Sequence, residues 1–263
     1  MGIRKLALRG LREIITYSRV GRLKHVSNFL GRKHHIVNIP GAGTVYVRPK
    51  ESSDIWSFRQ VFDAKDYDLS DYRQSPRIRA AYERILTSGR IPIIIDAGAN
   101  VGAASIWFSK QFPEARIVAI EPDRDNAELC HLNTRGLQNI KVIEAAVGSE
   151  PGAVSLSNPA KKAWAFRATR KADGEIGVCT ISQIILSEQS ASLFLVKIDI
   201  EGFEDDLFAN NVDWLDETEV VIIEPHDYIF AGEGRSLAFQ RELGKRNFEI
   251  LISGENLIYI RLP

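Results

Sequence analysis

The sequence predicts an α/β fold, a mostly parallel sheet covered by helices on both faces, and two observations carry that expectation. From Ile91 onward, strand-like apolar runs feed segments of helical spacing, at a repeat length suited to parallel strands joined by crossovers. The last two runs, FEILIS and NLIYIRL, are separated only by Gly254 and Glu255, too few residues for a parallel crossover, so they predict an antiparallel hairpin.

Taken in order, residues 3–30 read as one or two helices, because Ile3, Leu6, Leu11, Ile14 and Ile15 recur near helical spacing with arginines between them. IVNIPGAGTVYVR, residues 36–48, reads as two strands about a turn carrying Pro40, Gly41 and Gly43, and SSDIWSFRQVF as a short capped helix. This front section, residues 1–90, is expected to flank or cover a main domain at 91–263. In the main domain, IPIIID, ARIVAIEP, IKVIEAAVG, LFLVKIDIEG, EVVIIEPH, FEILIS and NLIYIRL are the expected strands. ASIWFSKQF, RDNAELCHLNTRG and SLAFQRELGKR are the expected helices.

The 263 residues carry 34 basic and 34 acidic side chains, but residues 1–50 hold eleven Lys or Arg against the single acid Glu13. That segment suits contact with an acidic surface such as membrane headgroups, or simply a docked helix with a solvated basic face. The rest of the chain is net negative and argues against a nucleic-acid partner. Cys130 and Cys179 are too few for a disulfide framework, no apolar run reaches membrane-span length, and charges interrupt the N-terminal apolar residues. A cytoplasmic setting, at most peripheral to a membrane, is the expectation.

The most informative stretch is IIIDAGANVG, where a buried strand ends in Asp96, Gly98, Asn100 and Gly102. A dinucleotide site wants G-x-G-x-x-G to cradle a pyrophosphate. Here Asn100 takes the place of the middle glycine, and an acid precedes the first. An acid at the strand end disfavours a diphosphate and favours an amine-bearing ligand, pointing to an amino-acid group beside a nucleoside, as in S-adenosylmethionine. Glu121, 19 residues after Gly102, ends the next strand and can accept both ribose hydroxyls. Glu144 and Ala145, at the end of the third, are placed to underlie adenine.

LVKIDIEGFE puts Lys197, Asp199 and Glu201 on one side of a strand end by alternation, and EVVIIEPH puts Glu224 and His226 on one side of another. Charged groups at the ends of buried strands are costly unless paired or at a solvent-filled site. The basic, aromatic stretch 157–177 offers Trp164 and Phe166 for stacking on a sugar and Lys161, Lys162 and Arg167 for anionic groups, or is a solvated loop.

Together, YVRPKESSDIWSFRQVF, IIDAGANVGAASIWFS, VAIEPDRDNAELCHLN, IEAAVGSEPGAVSL, FLVKIDIEGFEDDLF, VVIIEPH and ENLIYI resemble the FkbM family of S-adenosylmethionine-dependent methyltransferases, from about Tyr46 to Ile260. The resemblance implies a Rossmann-like seven-stranded methyltransferase sheet whose last strand is antiparallel. It implies that Asp96, Gly98, Asn100 and Gly102 line the methionine and ribose side, that Glu121 is the ribose acid, and that Asp199 lies beside the methyl donor. It also implies transfer to a hydroxyl of a sugar, glycolipid or related small molecule. His226, Asp199 and Glu201 are candidate bases, His226 favoured because an unperturbed imidazole is largely neutral at pH 7. Lys197 is expected to hold Asp199 or Glu224 ionised. Asp199, Glu201 and Glu224 also form an oxygen-rich set for a divalent cation. A non-catalytic cofactor-binding or assembly protein and an NAD-dependent oxidoreductase are the competing readings.

Overall fold

The computed structural model describes residues 25–26, 34–49, 52–157 and 167–263. Most of the basic N-terminal segment, and Lys161, Lys162, Trp164 and Phe166, therefore lie outside the described residues, and the Arg167 side chain does too.

The front section begins with β1 (His25–Val26), β2 (His35–Ile39) and β3 (Gly43–Val47), a three-stranded antiparallel sheet. The pair His25–Val26 is thus a strand, where the spacing predicts helix; pairing with Ile36 and Val37 supplies its backbone partners. Helices α1 (Ser52–Phe62) and α2 (Ser75–Thr87) follow. Proline in its first turn opens α2, and Ile78, Ala81, Tyr82 and Ile85 line its buried stripe at 3.6-residue spacing.

The main sheet has seven strands: β4 (Ile91–Ala97), β5 (Arg116–Glu121), β6 (Ile140–Glu144), β11 (Ala191–Ile198), β12 (Val220–Ile223), β13 (Phe248–Ser253) and β14 (Asn256–Arg261). Their order is β13-β14-β12-β11-β4-β5-β6. All run parallel except β14, which pairs antiparallel with both β12 and β13. The expected seven-stranded sheet and its closing hairpin are both present. Strand order reverses between β4 and β11, the position where open α/β sheets leave a crevice for ligands.

Helices cover both faces. One face buries α1, α2 and α3 (Ala103–Gln111) against Ile94, Phe194 and Leu195; the front section thus shares its core with the sheet. The other buries α5 (Ile181–Ser187), α6 (Glu204–Leu207), α7 (Trp214–Glu217) and α8 (Leu237–Gly244) against Ile93, Ile95 and Val196. Helix α4 (Arg124–Thr134), capped by Asp123, packs at the β5–β6 side. A register shift between Leu193 and Leu195 inserts one residue into β11, after which Lys197 stands beside Asp96.

A second sheet, of four strands, differs from expectation. The run IKVIEAAVG splits after Glu144, and β7 (Ala146–Val147) joins β8 (Gly152–Ser157), β9 (Arg167–Arg170) and β10 (Ile176–Cys179) in the order β7-β10-β8-β9. Residues 167–170, expected in an irregular loop, pair antiparallel with β8.

Candidate functional site

Two neighbouring cavities open at the carboxyl ends of β4, β5, β11 and β12. The first offers about 580 Å³ of empty space, part of it open to solvent, and is lined by Asn100, Ile120, Glu121, Pro122, Asn126, Ala145, Ala146, Val147, Leu156, Ala168 and Phe203, among others. The second, about 1420 Å³, is walled by α1, Tyr67, Lys197, Glu224, Tyr228 and Glu255. Gly98, Asn100, Asp199 and Glu201 line both, so the two cavities meet at the switch point.

The loop after β4 takes its shape from three left-handed residues, Gly98 (φ +79°), Asn100 (φ +49°) and Gly102 (φ +88°). Asparagine tolerates that region better than most side-chain-bearing residues, so its presence in place of a middle glycine does not disturb the turn. The two glycines serve the protein's own packing. A Cβ on Gly98 would lie 1.7 Å from the Asp199 carbonyl oxygen, where the ends of β4 and β11 touch. One on Gly102 would meet Cys130 Sγ at 3.0 Å and Thr134 Cγ2 at 3.2 Å on α4. Gly102 lines neither cavity and instead lets α3 approach α4.

Asp96 also stands behind the cavities. It is fully buried, with Oδ2 accepting from Ser105 Oγ at 2.6 Å and Oδ1 3.2 Å from Lys197 Nζ. The register that sets Lys197 beside it makes it a counter-ion of that ammonium. Lys197 donates to the Gly98 carbonyl at 2.7 Å and lies 3.3 Å from Asp199 Oδ2, tying the two strand ends together. Burial disfavours its charge, yet Asp199 and Asp96 outweigh that and hold the ammonium well above its ordinary value.

Glu121 lies where the ribose acid is expected. Its Oε2 accepts from the Asn100 backbone N–H at 2.8 Å and its Oε1 from the Asp123 N–H at 3.0 Å, while it faces the first cavity. Burial pushes its carboxyl up to about 7, against these hydrogen bonds. Asn126 Nδ2, at 3.4 Å, is a second donor to Oε1, so Oε2 is the oxygen that keeps a lone pair for a further donor. Ala145 lines the cavity with Ala146 and Val147, whereas Glu144 is exposed and lines neither cavity, because β6 ends there and its side chain alternates outward. Asn126, Leu156, Ala168 and Phe203 were not foreseen. Leu156 and Ala168 come from the second sheet, invisible as a unit in the sequence, while Asn126 sits in the first turn of a helix legible from its cap.

The acids at the β11 and β12 ends converge on His226. Its Nδ1 is 2.8 Å from Glu204 Oε1, and its buried Nε2 has no hydrogen-bond partner. That nitrogen faces Asp199 Oδ1 at 3.6 Å, Glu224 Oε1 at 3.8 Å and Glu201 Oε2 at 3.9 Å. Burial opposes its charge, but Glu204 and the other acids push the imidazole up to about 9. The expectation of a largely neutral His226 is therefore corrected: facing these carboxyls, it holds a proton at pH 7. Burial, and next the Asp199 charge, push the Glu201 and Glu224 carboxyls upward. Glu204, missed in the sequence, is the residue that fixes the imidazole; only its closeness to His226 in space reveals it.

Asp199, Glu224 and His226 can each offer one ligand atom, all within 4.8 Å of one another. The unpartnered Nε2, the two carboxylates and the Glu204 carboxylate behind Nδ1 fit a divalent cation, with Glu204 orienting the imidazole as a supporting carboxylate does in metal sites. This differs from the oxygen-only set expected, because His226 takes the place given to Glu201.

Among proteins of known sequence, the chain is 24% identical over 155 residues to "2-O-methyltransferase NoeI" of Sinorhizobium fredii, covering 52% of this chain and 64% of that protein. It is 32% identical over 74 residues to "Methyltransferase sdnD" of Sordaria araneosa, covering 25% and 27%. The chain thus spans less than two thirds of either relative. The crystal structure of the O-methyltransferase from Bacillus cereus in complex with SAH aligns at a TM-score of 0.40 and 14% identity, over 81% of this chain and 93% of that one, a likeness too loose to bear on function. Residues 96–247, more than half of the chain, match the family model described as the methyltransferase FkbM domain, and the chain belongs to that family.

Proposed function

We propose that the protein transfers the methyl group of S-adenosylmethionine to a hydroxyl oxygen of a sugar or related small molecule. The observation that carries this is the meeting of two cavities at Asp199 and Glu201, one with an apolar floor and a single ribose-type acid, the other large and polar. NoeI, a 2-O-methyltransferase by name, supports oxygen as the acceptor atom.

The donor supplies a methyl carbon on a sulfonium, and its transfer leaves a neutral thioether. In this reading Glu121 accepts the ribose hydroxyls, and Ala145, Ala146 and Val147 seat the adenine. Asp199, held by Lys197, faces the junction and favours the cationic donor over its neutral product. As the acceptor oxygen attacks the methyl carbon in line with the breaking C–S bond, its proton passes to Glu201. Glu201 lines both cavities; burial pushes its carboxyl up to about 8, so the ionised minority present at pH 7 is the form that accepts the proton. Its backbone is left-handed (φ +54°), so the turn aims this side chain at some cost in strain. Protonated His226 steadies the acids around it. A divalent cation, if held by Asp199, Glu224 and His226, would take the place of the Nε2 proton and supply Lewis-acid chemistry toward the acceptor hydroxyl.

The test is transfer of labelled methyl from S-adenosylmethionine to a panel of hydroxylated saccharides and glycolipids. Alkali-stable label in the saccharide supports the reading. Binding of S-adenosylhomocysteine without transfer to any acceptor, by protein with intact fold, would favour a cofactor-binding protein without this activity.

A further inference from the structure

The second cavity carries an aromatic mouth that neither the motifs nor the relatives assign. On α1, Ser53, Trp56, Ser57, Gln60 and Val61 follow the i, i+3, i+4, i+7, i+8 spacing of a single helix face, and all of them line this cavity. Phe58 and Phe62 point instead into the core. The helix therefore has a second, mostly polar stripe directed at the cavity, with a large aromatic side chain in it. Trp56 is 61% exposed, and the Arg59 guanidinium lies over its ring at 4.7 Å, covering one face of the indole. Across the cavity, Tyr228 is 66% exposed, and its ring centroid is 6.1 Å from that of His226. Two large aromatics left in water at the mouth of a cavity are unusual, since burying either elsewhere would be favourable.

The polar lining narrows the ligand class. Among the described residues, Asp199, Glu201, Glu224 and Glu255 line this cavity against the single cation Lys197, which already faces Asp96 and Asp199. Such a surface accepts hydrogen bonds from hydroxyls and repels anions. Flat apolar faces combined with many acceptors match a neutral pyranose, which has C–H groups on its ring faces and hydroxyls around its edge.

We propose that Trp56 and Tyr228 are the acceptor-positioning residues, holding a neutral pyranose ring at the mouth of the second cavity with one hydroxyl directed at the Asp199–Glu201 junction. This rests on the methyl-transfer reading above. The loop around Asn100 is linked to the same wall, because Asn100 Nδ2 lies 3.4 Å from Ser57 Oγ.

The experiment uses the full chain saturated with S-adenosylhomocysteine and saturation-transfer NMR with three probes, methyl α-galactopyranoside, methyl α-glucopyranoside and the anion of methyl glucuronoside. Saturation should reach the ring protons of at least one neutral glycoside and be at least fivefold weaker for the glucuronoside. Trp56→Ala and Tyr228→Ala should each reduce the neutral signal at least fivefold, and Trp56→Phe should retain it. S-adenosylhomocysteine affinity, measured by calorimetry on each variant, should stay within twofold and also reports that the variants fold. If the homocysteine binds but no neutral glycoside is saturated, or if both alanine variants keep the signal, the proposal is overturned. Equal saturation of the glucuronoside would overturn its neutral-sugar part. Failure of S-adenosylhomocysteine to bind the unaltered chain would instead overturn the methyl-transfer reading itself.

Discussion

The two cavities differ in how they are built. The donor side is walled largely by apolar backbone-near residues, Ile120, Ala145, Ala146 and Val147, with Glu121 as the raised acid it does not share with the other cavity. The acceptor side gathers four carboxyls, an ammonium and two exposed aromatics from four widely separated segments. The first is a shape fixed by three left-handed turn residues; the second is a charge balance. Substitutions on the donor side should therefore act through fold and affinity, and those on the acceptor side through turnover.

The largest effect is expected at Gly98. Its substitution by alanine forces either the Asp199 carbonyl or the β4 loop to move and should cost on the order of 3 kcal/mol or more, read as loss of soluble protein or a much lower unfolding midpoint. Gly102→Ala, whose neighbours are the Cys130 and Thr134 side chains, should be milder. Equal loss at both positions would break the claim that Gly98 marks a backbone-to-backbone contact.

Glu121→Ala should weaken S-adenosylhomocysteine binding about 10- to 100-fold by calorimetry, as expected for losing charge-assisted hydrogen bonds of roughly 1.5–3 kcal/mol. His226→Ala, in contrast, should leave that affinity within about twofold and lower turnover about 10- to 100-fold, the range for removing a group that orients a charged site. Equal affinity loss in both variants would erase the division between the cavities.

The division also has a pH signature. Because the folded Glu121 carboxyl is raised to about 7, S-adenosylhomocysteine binding should weaken about tenfold from pH 8 to pH 6. Glu121→Gln should flatten that dependence. In the free protein the sign for stability is opposite: the unfolded carboxyl loses its proton near 4.5 and the folded one near 7, so stability falls as pH rises through that window.

The smallest change concerns Glu204. Its replacement by glutamine keeps a hydrogen-bond partner for Nδ1 but removes the charge, and should lower the His226 pKa from about 9, read as an NMR shift of the imidazole titration. An unmoved titration would mean that Asp199, Glu201 and Glu224 alone hold the proton.

How much was legible in the sequence follows the same line. The sheet, its hairpin, the Asn100 loop and Glu121 could be read because each depends on spacing within one strand-turn-helix unit. Alternation correctly grouped Lys197, Asp199 and Glu201, but it could not say that Asp96 comes into register beside Lys197 and so leaves the cavity wall. Nor could it show that Glu204, 22 residues from His226, meets its imidazole and reverses the protonation expected of a lone histidine. The second sheet was hidden because β7 is two residues long and its partner β10 lies some thirty residues away, leaving no local periodicity to read. Trp56 was visible only as part of an amphipathic helix, since its exposure depends on which face the sheet takes.

The most direct test of the account is calorimetric titration of the full chain with S-adenosylmethionine, S-adenosylhomocysteine and NAD in parallel. The account predicts saturable binding of both methionine-derived ligands, lost or strongly weakened in Glu121→Ala, and no binding of NAD. Binding of NAD, with neither methionine-derived ligand bound at millimolar concentration, would contradict it.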